Sequence, residues 1–197
     1  MLERSVKKDQ SIVKEKRYNM EKRLILTHGA PGAGKSSFIK ELGLEHLTIS
    51  PDNLRLLFSA PEYLVVDNNA CWQISQKNNK KVWKLVFELL EERMHNESDT
   101  VLDACNFTQD FIARYKNLAK RYNFRMIVLD FSSLSLDVLL KQNKQRLLYD
   151  AGLRYVPERV IRDIYQKMEP VPKDVYTIDA TAPDAKDKFW KFWMQVS

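Results

Sequence analysis

The sequence predicts an α/β protein, a parallel sheet held between two layers of helices. Three observations predict it. Gly29-Ala30-Pro31-Gly32-Ala33-Gly34-Lys35-Ser36 fits the phosphate-cradling pattern G-x-x-x-x-G-K-[ST] at every fixed position. The apolar run from Arg23 to His28 reads as a buried strand before it, and Ser36 to Leu42 reads as a helix stopped by Gly43 after it. Downstream, further strand-like runs alternate with helix-patterned segments.

At 197 residues the chain suits one domain with a sizeable core. Residues 1–20 are charged and weakly periodic, so a solvated arm is expected there, with the compact domain spanning 21–197. The longest apolar runs, such as Met126-Ile127-Val128-Leu129, are too short to cross a bilayer, and the polar N-terminus does not resemble a secretory signal. A cytoplasmic protein without membrane attachment is the expectation. Cys71 and Cys105 lack metal-binding spacing, and His28, His46 and His95 are scattered, so neither a metal cluster nor a histidine-based triad is suggested. The net charge of +6 favours a polyanionic partner.

The loop glycines let backbone N–H groups turn inward onto phosphate oxygens, and a helix starting near Lys35 adds its positive end. Lys35 is expected on the β- and γ-phosphates and the Ser36 hydroxyl on Mg²⁺. The nucleotide-binding set is therefore Gly29, Ala30, Pro31, Gly32, Ala33, Gly34, Lys35, Ser36 and the adjoining Ser37.

Glu45 to Ser50 reads as a second strand, stopped by Pro51, with Asp52 able to cap the next helix. Ligands bind beyond the carboxyl ends of strands in such sheets, so Asp52 and Arg55, on one face of a helical turn, are expected beside the γ-phosphate. The plainer alternative is a helix cap and a surface charge. A loop with Pro61 and Asp67-Asn68-Asn69 leads to a long helix, polar from Gln73 to Lys81 and apolar-faced from Val82 to Met94. Thr100 to Ala104 reads as the third strand, bringing Asp103 and Asn106 to the same edge as substrate-binding candidates. Asp103 would orient either a metal-bound water or the Arg55 guanidinium. After a helix over 110–122 and a buried fourth strand from Phe124 to Phe131, a helix over 136–150 breaks at Ala151-Gly152 and resumes from Glu158 to Met168. This helix, basic hinge, helix pattern reads as a lid over about residues 141–168, with Lys141, Lys144, Arg146 and Arg154 supplying cations. Val175 to Ile178 makes a fifth strand, and an aromatic-rich helix from Ala185 to Val196 closes the chain.

On Gly29 to Ser36, on Asp52-x-x-Arg55, on Val101-Leu102-Asp103-Ala104-Cys105-Asn106 and on Arg146 to Met168 with its Val156-Pro157, residues 22 to about 180 resemble the P-loop polynucleotide 5′-kinase family. That family includes phage and bacterial polynucleotide kinase and the kinase module of tRNA ligases. The resemblance implies a P-loop NTPase three-layer sandwich with the five predicted strands ordered 2-3-1-4-5. It implies ATP and Mg²⁺ as cofactors and transfer of the γ-phosphate to the 5′-hydroxyl of RNA or DNA, with a ligase or phosphatase as the kind of partner protein. Asp52 would then be the general base, Arg55 would grip the acceptor 3′-phosphate, and either Arg146 or Arg154 would assist transfer beside Lys35. A small-molecule kinase of the zeta-toxin type shares the loop and the D-x-x-R pair. A nucleotide-dependent switch without transfer shares the loop alone.

Overall fold

The computed structural model describes residues 22–194, so the expected arm over residues 1–20 lies outside the described residues. The elements run β1 (Arg23–His28), α1 (Lys35–Glu41), β2 (Thr48–Ile49), α2 (Pro51–Phe58), β3 (Glu62–Val66), β4 (Asn69–Gln73), α3 (Asn79–His95), β5 (Thr100–Leu102), α4 (Gln109–Arg121), β6 (Arg125–Asp130), α5 (Leu136–Gln145), α6 (Glu158–Lys167), β7 (Tyr176–Asp179) and α7 (Ala185–Met194). A five-stranded parallel sheet in the order β2-β5-β1-β6-β7 forms the centre. Counting only its own strands in chain order, that is the 2-3-1-4-5 arrangement expected.

Strand alternation explains the three layers. In β1, every residue is buried, with Leu24 and Leu26 pointing to one face and Ile25 to the other. Leu24 and Leu26 join Val82, Val86, Leu90 and Met94 of α3 and Ile112, Tyr115 and Leu118 of α4. Ile25 joins Phe38 and Ile39 of α1, Leu139 of α5, Ile161 of α6, and Phe189 and Phe192 of α7. A strand covered on both faces needs a continuous apolar run, which β1 and the middle of β6 have. Among the described residues no helix is long and apolar enough to cross a membrane.

The structure corrects the sequence reading in three places. The expected loop before the long helix is an antiparallel hairpin, β3 paired to β4 with Tyr63 opposite Trp72 and Leu64 opposite Cys71. Its two turn residues, Asp67 and Asn68, both have positive φ (47° and 63°), the backbone that a tight two-residue hairpin demands. Consequently α3 starts at Asn79 and the segment from Gln73 is not its polar half. The second strand shrinks to Thr48–Ile49 because Glu45–Leu47 winds into a short 3₁₀ turn. The helix expected over 136–150 ends at Gln145, and Arg146–Leu148 continues as a 3₁₀ turn before Ala151 reverses the chain at φ 46°.

Candidate active site

The carboxyl ends of β2, β5 and β1 converge on one edge of the sheet. Gly29, just past β1, donates its N–H to the Cys105 carbonyl past β5 at 3.0 Å, and Asp103 donates its N–H to the Ile49 carbonyl at the end of β2, also at 3.0 Å. Beneath them His28 and Asp130, neighbours in register on β1 and β6, form a side-chain bridge of 2.7 Å.

The phosphate loop needs its glycines for two separate reasons. At Gly29 and Gly32 the φ values are 144° and 91°, and a Cβ would lie 2.9 Å from the Phe131 side chain or 2.8 Å from the Leu139 carbonyl oxygen. At Gly34, φ is 87° but a Cβ would meet nothing within 4 Å. The first two positions thus require both the backbone and the space, the third only the backbone. Lys35 is buried and curls back over the loop, its ammonium donating to the Gly29 and Ala30 carbonyls at 3.0 and 2.8 Å. Ser36 and Ser37 are exposed on the open side.

Ser36 donates its hydroxyl to the Asp103 carboxylate at 2.6 Å. A hydroxyl and a carboxylate converging in this way are hard oxygen donors that suit Mg²⁺, which takes few protein ligands and keeps water and phosphate oxygens for the rest. Of the two roles open to Asp103, the contact observed is with the metal-ligand candidate and not with Arg55.

Asp52 is not a helix cap. It is the second residue of α2, after Pro51, and the cap position is Ser50, which makes no side-chain cap bond. Its carboxylate instead accepts from the Arg55 guanidinium at 2.7 Å, three residues on. A second oxygen acceptor holds the same guanidinium, the side chain of Asn79 at the start of α3. Arg55 is only 8% exposed, and its Nε has no partner among the described residues. Asp52 by contrast stands open to solvent.

Across from the loop, Arg146, Tyr149 and Arg154 line a cleft whose near wall is Gly34, Ser36 and Ser37. Arg146 donates to the Arg154 carbonyl at 2.7 Å. Burial and the nearby Arg154 charge hold its guanidinium below the usual arginine value, while Asp52, Cys105 and Asp103 pull the other way. Arg146 thereby feels both carboxylates. Both expected lid arginines reach this cleft. Lys144 does not share that wall; it pairs with Glu158 on α6. Asn106 is buried, with φ 44° and its amide donating to the Thr27 carbonyl at 2.8 Å, so it braces the strand end and does not face the cleft.

A family model described as AAA domain matches residues 24–171. The chain belongs to that family. Among solved structures, this AAA domain is similar to a putative kinase from Chloroflexus aurantiacus, with 19% identity and a TM-score of 0.62 over 90% of this chain and 99% of that one. It is also similar to Chaetomium thermophilum Kti12 in complex with ADP-AlF3, at 17% identity and a TM-score of 0.58 over 88% of this chain and 99% of that one. A component of the Pnkp1/Rnl/Hen1 RNA repair complex matches 85% of this chain at 16% identity and a TM-score of 0.59, and there the match spans 52% of the longer chain. A gluconokinase from Sinorhizobium meliloti matches at 13% identity and a TM-score of 0.51, over 87% of this chain and 98% of that one. At these identities the likeness is one of fold, a parallel five-stranded α/β sheet with flanking helices consistent with the P-loop NTPase kinase fold.

Asn79 and Tyr149 were absent from the sequence reading. Asn79 lies 24 residues from its partner Arg55, and no local pattern marks it. Tyr149 follows the early end of α5, which the expected longer helix concealed.

Proposed function

We propose that the chain is an ATP- and Mg²⁺-dependent kinase for the 5′-hydroxyl end of RNA or DNA. The observation that carries this reading is the grouping at one sheet edge of the phosphate loop with its Ser36–Asp103 contact, the exposed Asp52 carboxylate held by Arg55, and Arg146 and Arg154 across the cleft from the loop. A pure nucleotide switch has no use for an exposed carboxylate steered by an arginine at that point.

In this reading the phosphate loop and Lys35 hold the donor phosphates, and Ser36 with Asp103 holds Mg²⁺. The metal would neutralise charge on the β- and γ-phosphate oxygens. Arg55 occupies Oδ1 of Asp52, leaving the other carboxylate oxygen to take the proton from the acceptor hydroxyl. As that O–H bond breaks, the acceptor oxygen bonds to the γ-phosphorus, the bond to the β-phosphate oxygen breaks and ADP leaves. Arg146 and Arg154 meet the charge that develops on the transferred group. Arg55 would grip a phosphate on the acceptor, as the family resemblance implies. The basic balance of the chain favours a polyanionic acceptor over a neutral one.

The name of the RNA repair complex is consistent with this acceptor class, and the likeness to a gluconokinase supports a small hydroxyl compound as the rival. Labelled ATP offered to 5′-hydroxyl RNA, 5′-hydroxyl DNA and a panel of sugars and nucleotide sugars separates the two. Label at oligonucleotide 5′ ends is expected; label confined to a small hydroxyl compound would replace this reading with the rival.

A further inference from the structure

The β3–β4 hairpin presents two different faces. One is tied to the lid: Cys71 is fully buried and packs so closely on Gly152 that a Cβ there would lie 2.6 Å from it. On the same side Gln73 donates to the Tyr155 carbonyl at 3.0 Å, and the turn residue Asp67 accepts from the Tyr155 hydroxyl and the Glu158 N–H, both at 2.8 Å. Alternation along the strands sends Tyr63, Val65, Ala70 and Trp72 to the opposite face. There the side chains are open: Tyr63 is 59% exposed, Val65 75% and Trp72 41%, and the two rings meet edge to face at 5.1 Å. An exposed aromatic pair on a sheet that the lid holds in place is not explained by the core.

In the chain the hairpin leads directly into a basic stretch. From Lys77 to Lys84 the chain carries four lysines and no acid. Lys77 pairs with Glu62, which shares the Gln73 side of the hairpin, and Asn78 donates to Ser59 just past α2, so the start of α3 is fastened to the base of the hairpin. Lys80 and Lys81 follow there, exposed. The hairpin also begins only a few residues after α2, whose first turn carries Asp52. An eight-residue helix is about 12 Å long, roughly the reach of two nucleotides.

We propose that the outer face of the β3–β4 hairpin is a stacking surface for unpaired bases of a single-stranded acceptor, with Tyr63 and Trp72 under the bases and Lys80 and Lys81 near the phosphates. Aromatic faces interleaved with lysines are how proteins hold single strands without reading sequence. The proposal rests on the polynucleotide reading and deepens it, because it makes acceptor length matter. Nucleotides beyond the 5′ end gain affinity from the hairpin, whereas a single nucleotide held at Asp52 and Arg55 does not reach it.

The test compares wild type, Tyr63→Ala/Trp72→Ala and Tyr63→Phe/Trp72→Phe. Binding of a fluorescent eight-nucleotide single strand is measured without ATP at several salt concentrations, and transfer from ATP is measured to that strand and to a nucleoside 3′-monophosphate. The alanine pair is expected to weaken strand binding roughly tenfold or more and to raise KM for the strand alike. The phenylalanine pair should stay close to wild type, and all three should turn over the mononucleotide equally. Lys80→Gln/Lys81→Gln should flatten the salt dependence. Unchanged strand binding by the alanine pair, with wild-type transfer to the strand intact, overturns the stacking surface and leaves the kinase reading standing. Failure of the wild type to bind or phosphorylate any strand overturns both. A concentration-dependent self-association that the alanine pair abolishes, with strand affinity unaltered, assigns the face to a second copy of the chain instead.

Discussion

In the proposed reaction Lys35 and Ser36, though adjacent, act on different objects. Lys35 supplies a positive charge over the loop carbonyls, and no other group in contact with it can replace that charge on a phosphate. Ser36 shares its place with Asp103, so losing the hydroxyl leaves one oxygen donor behind. Lys35→Ala is therefore expected to abolish transfer at every Mg²⁺ concentration, while excess Mg²⁺ partly restores Ser36→Ala; an Mg²⁺ titration of both variants checks this. The glycines give a second contrast. Gly32→Ala combines a left-handed backbone with a contact of 2.8 Å to main chain that cannot swing away, whereas Gly34→Ala meets only the backbone strain. Thermal unfolding should show Gly34→Ala destabilised by about 1 kcal/mol and Gly32→Ala by clearly more, of order 2–4 kcal/mol. Equal losses would mean that the Leu139 carbonyl yields.

Between elements, the His28 and Asp130 bridge joins the ends of β1 and β6 directly beneath the loop, and the other nitrogen of His28 contacts the Glu169 carbonyl beyond α6. Burial pushes the Asp130 carboxyl up, but the hydrogen bonds from His28 and Ser132 outweigh it and hold the carboxyl below its ordinary value. A carboxyl whose folded value is depressed adds stability above its unfolded pKa of about 3.9, and that stability is lost as pH falls through the lower folded value. Unfolding midpoints should accordingly drop below about pH 4, and Asp130→Asn should be less stable at neutral pH with a shallower acid limb. At this scale the sequence was legible where the signal is local. The strand, loop and helix around Gly29 announce themselves within twenty residues, as does the apolar spacing of Val82, Val86, Leu90 and Met94. The hairpin was not legible, because Asp67-Asn68-Asn69 marks a loop as readily as a tight turn and its strands are secured by Tyr155 and Gly152, far along the chain. The early end of α5 was hidden likewise, since helix-forming residues continue through Leu148 while Ala151 turns at positive φ.

For the whole molecule, parallel connections bring Gly29, Asp52 and Asp103 to one sheet edge, and that much followed from the order of strands and motifs. Which side chains touch did not follow. Ser36 meets Asp103 across 67 residues and Arg55 meets Asn79 across 24, and no sequence period encodes either distance. In the proposed reaction this edge, roofed by Arg146 and Arg154, moves a phosphoryl group onto a nucleic-acid end with Asp52 as base. The most direct measurement is the rate of label transfer from the γ-phosphate of ATP to a 5′-hydroxyl oligonucleotide by wild type and Asp52→Asn, with thermal unfolding of both. The proposed reaction predicts 5′-labelled product from wild type, a kcat about 10²-fold lower in the variant, little change in acceptor KM and an unaltered midpoint. Equal transfer by the two proteins, or none to the oligonucleotide by wild type while a small hydroxyl compound is labelled, would contradict it.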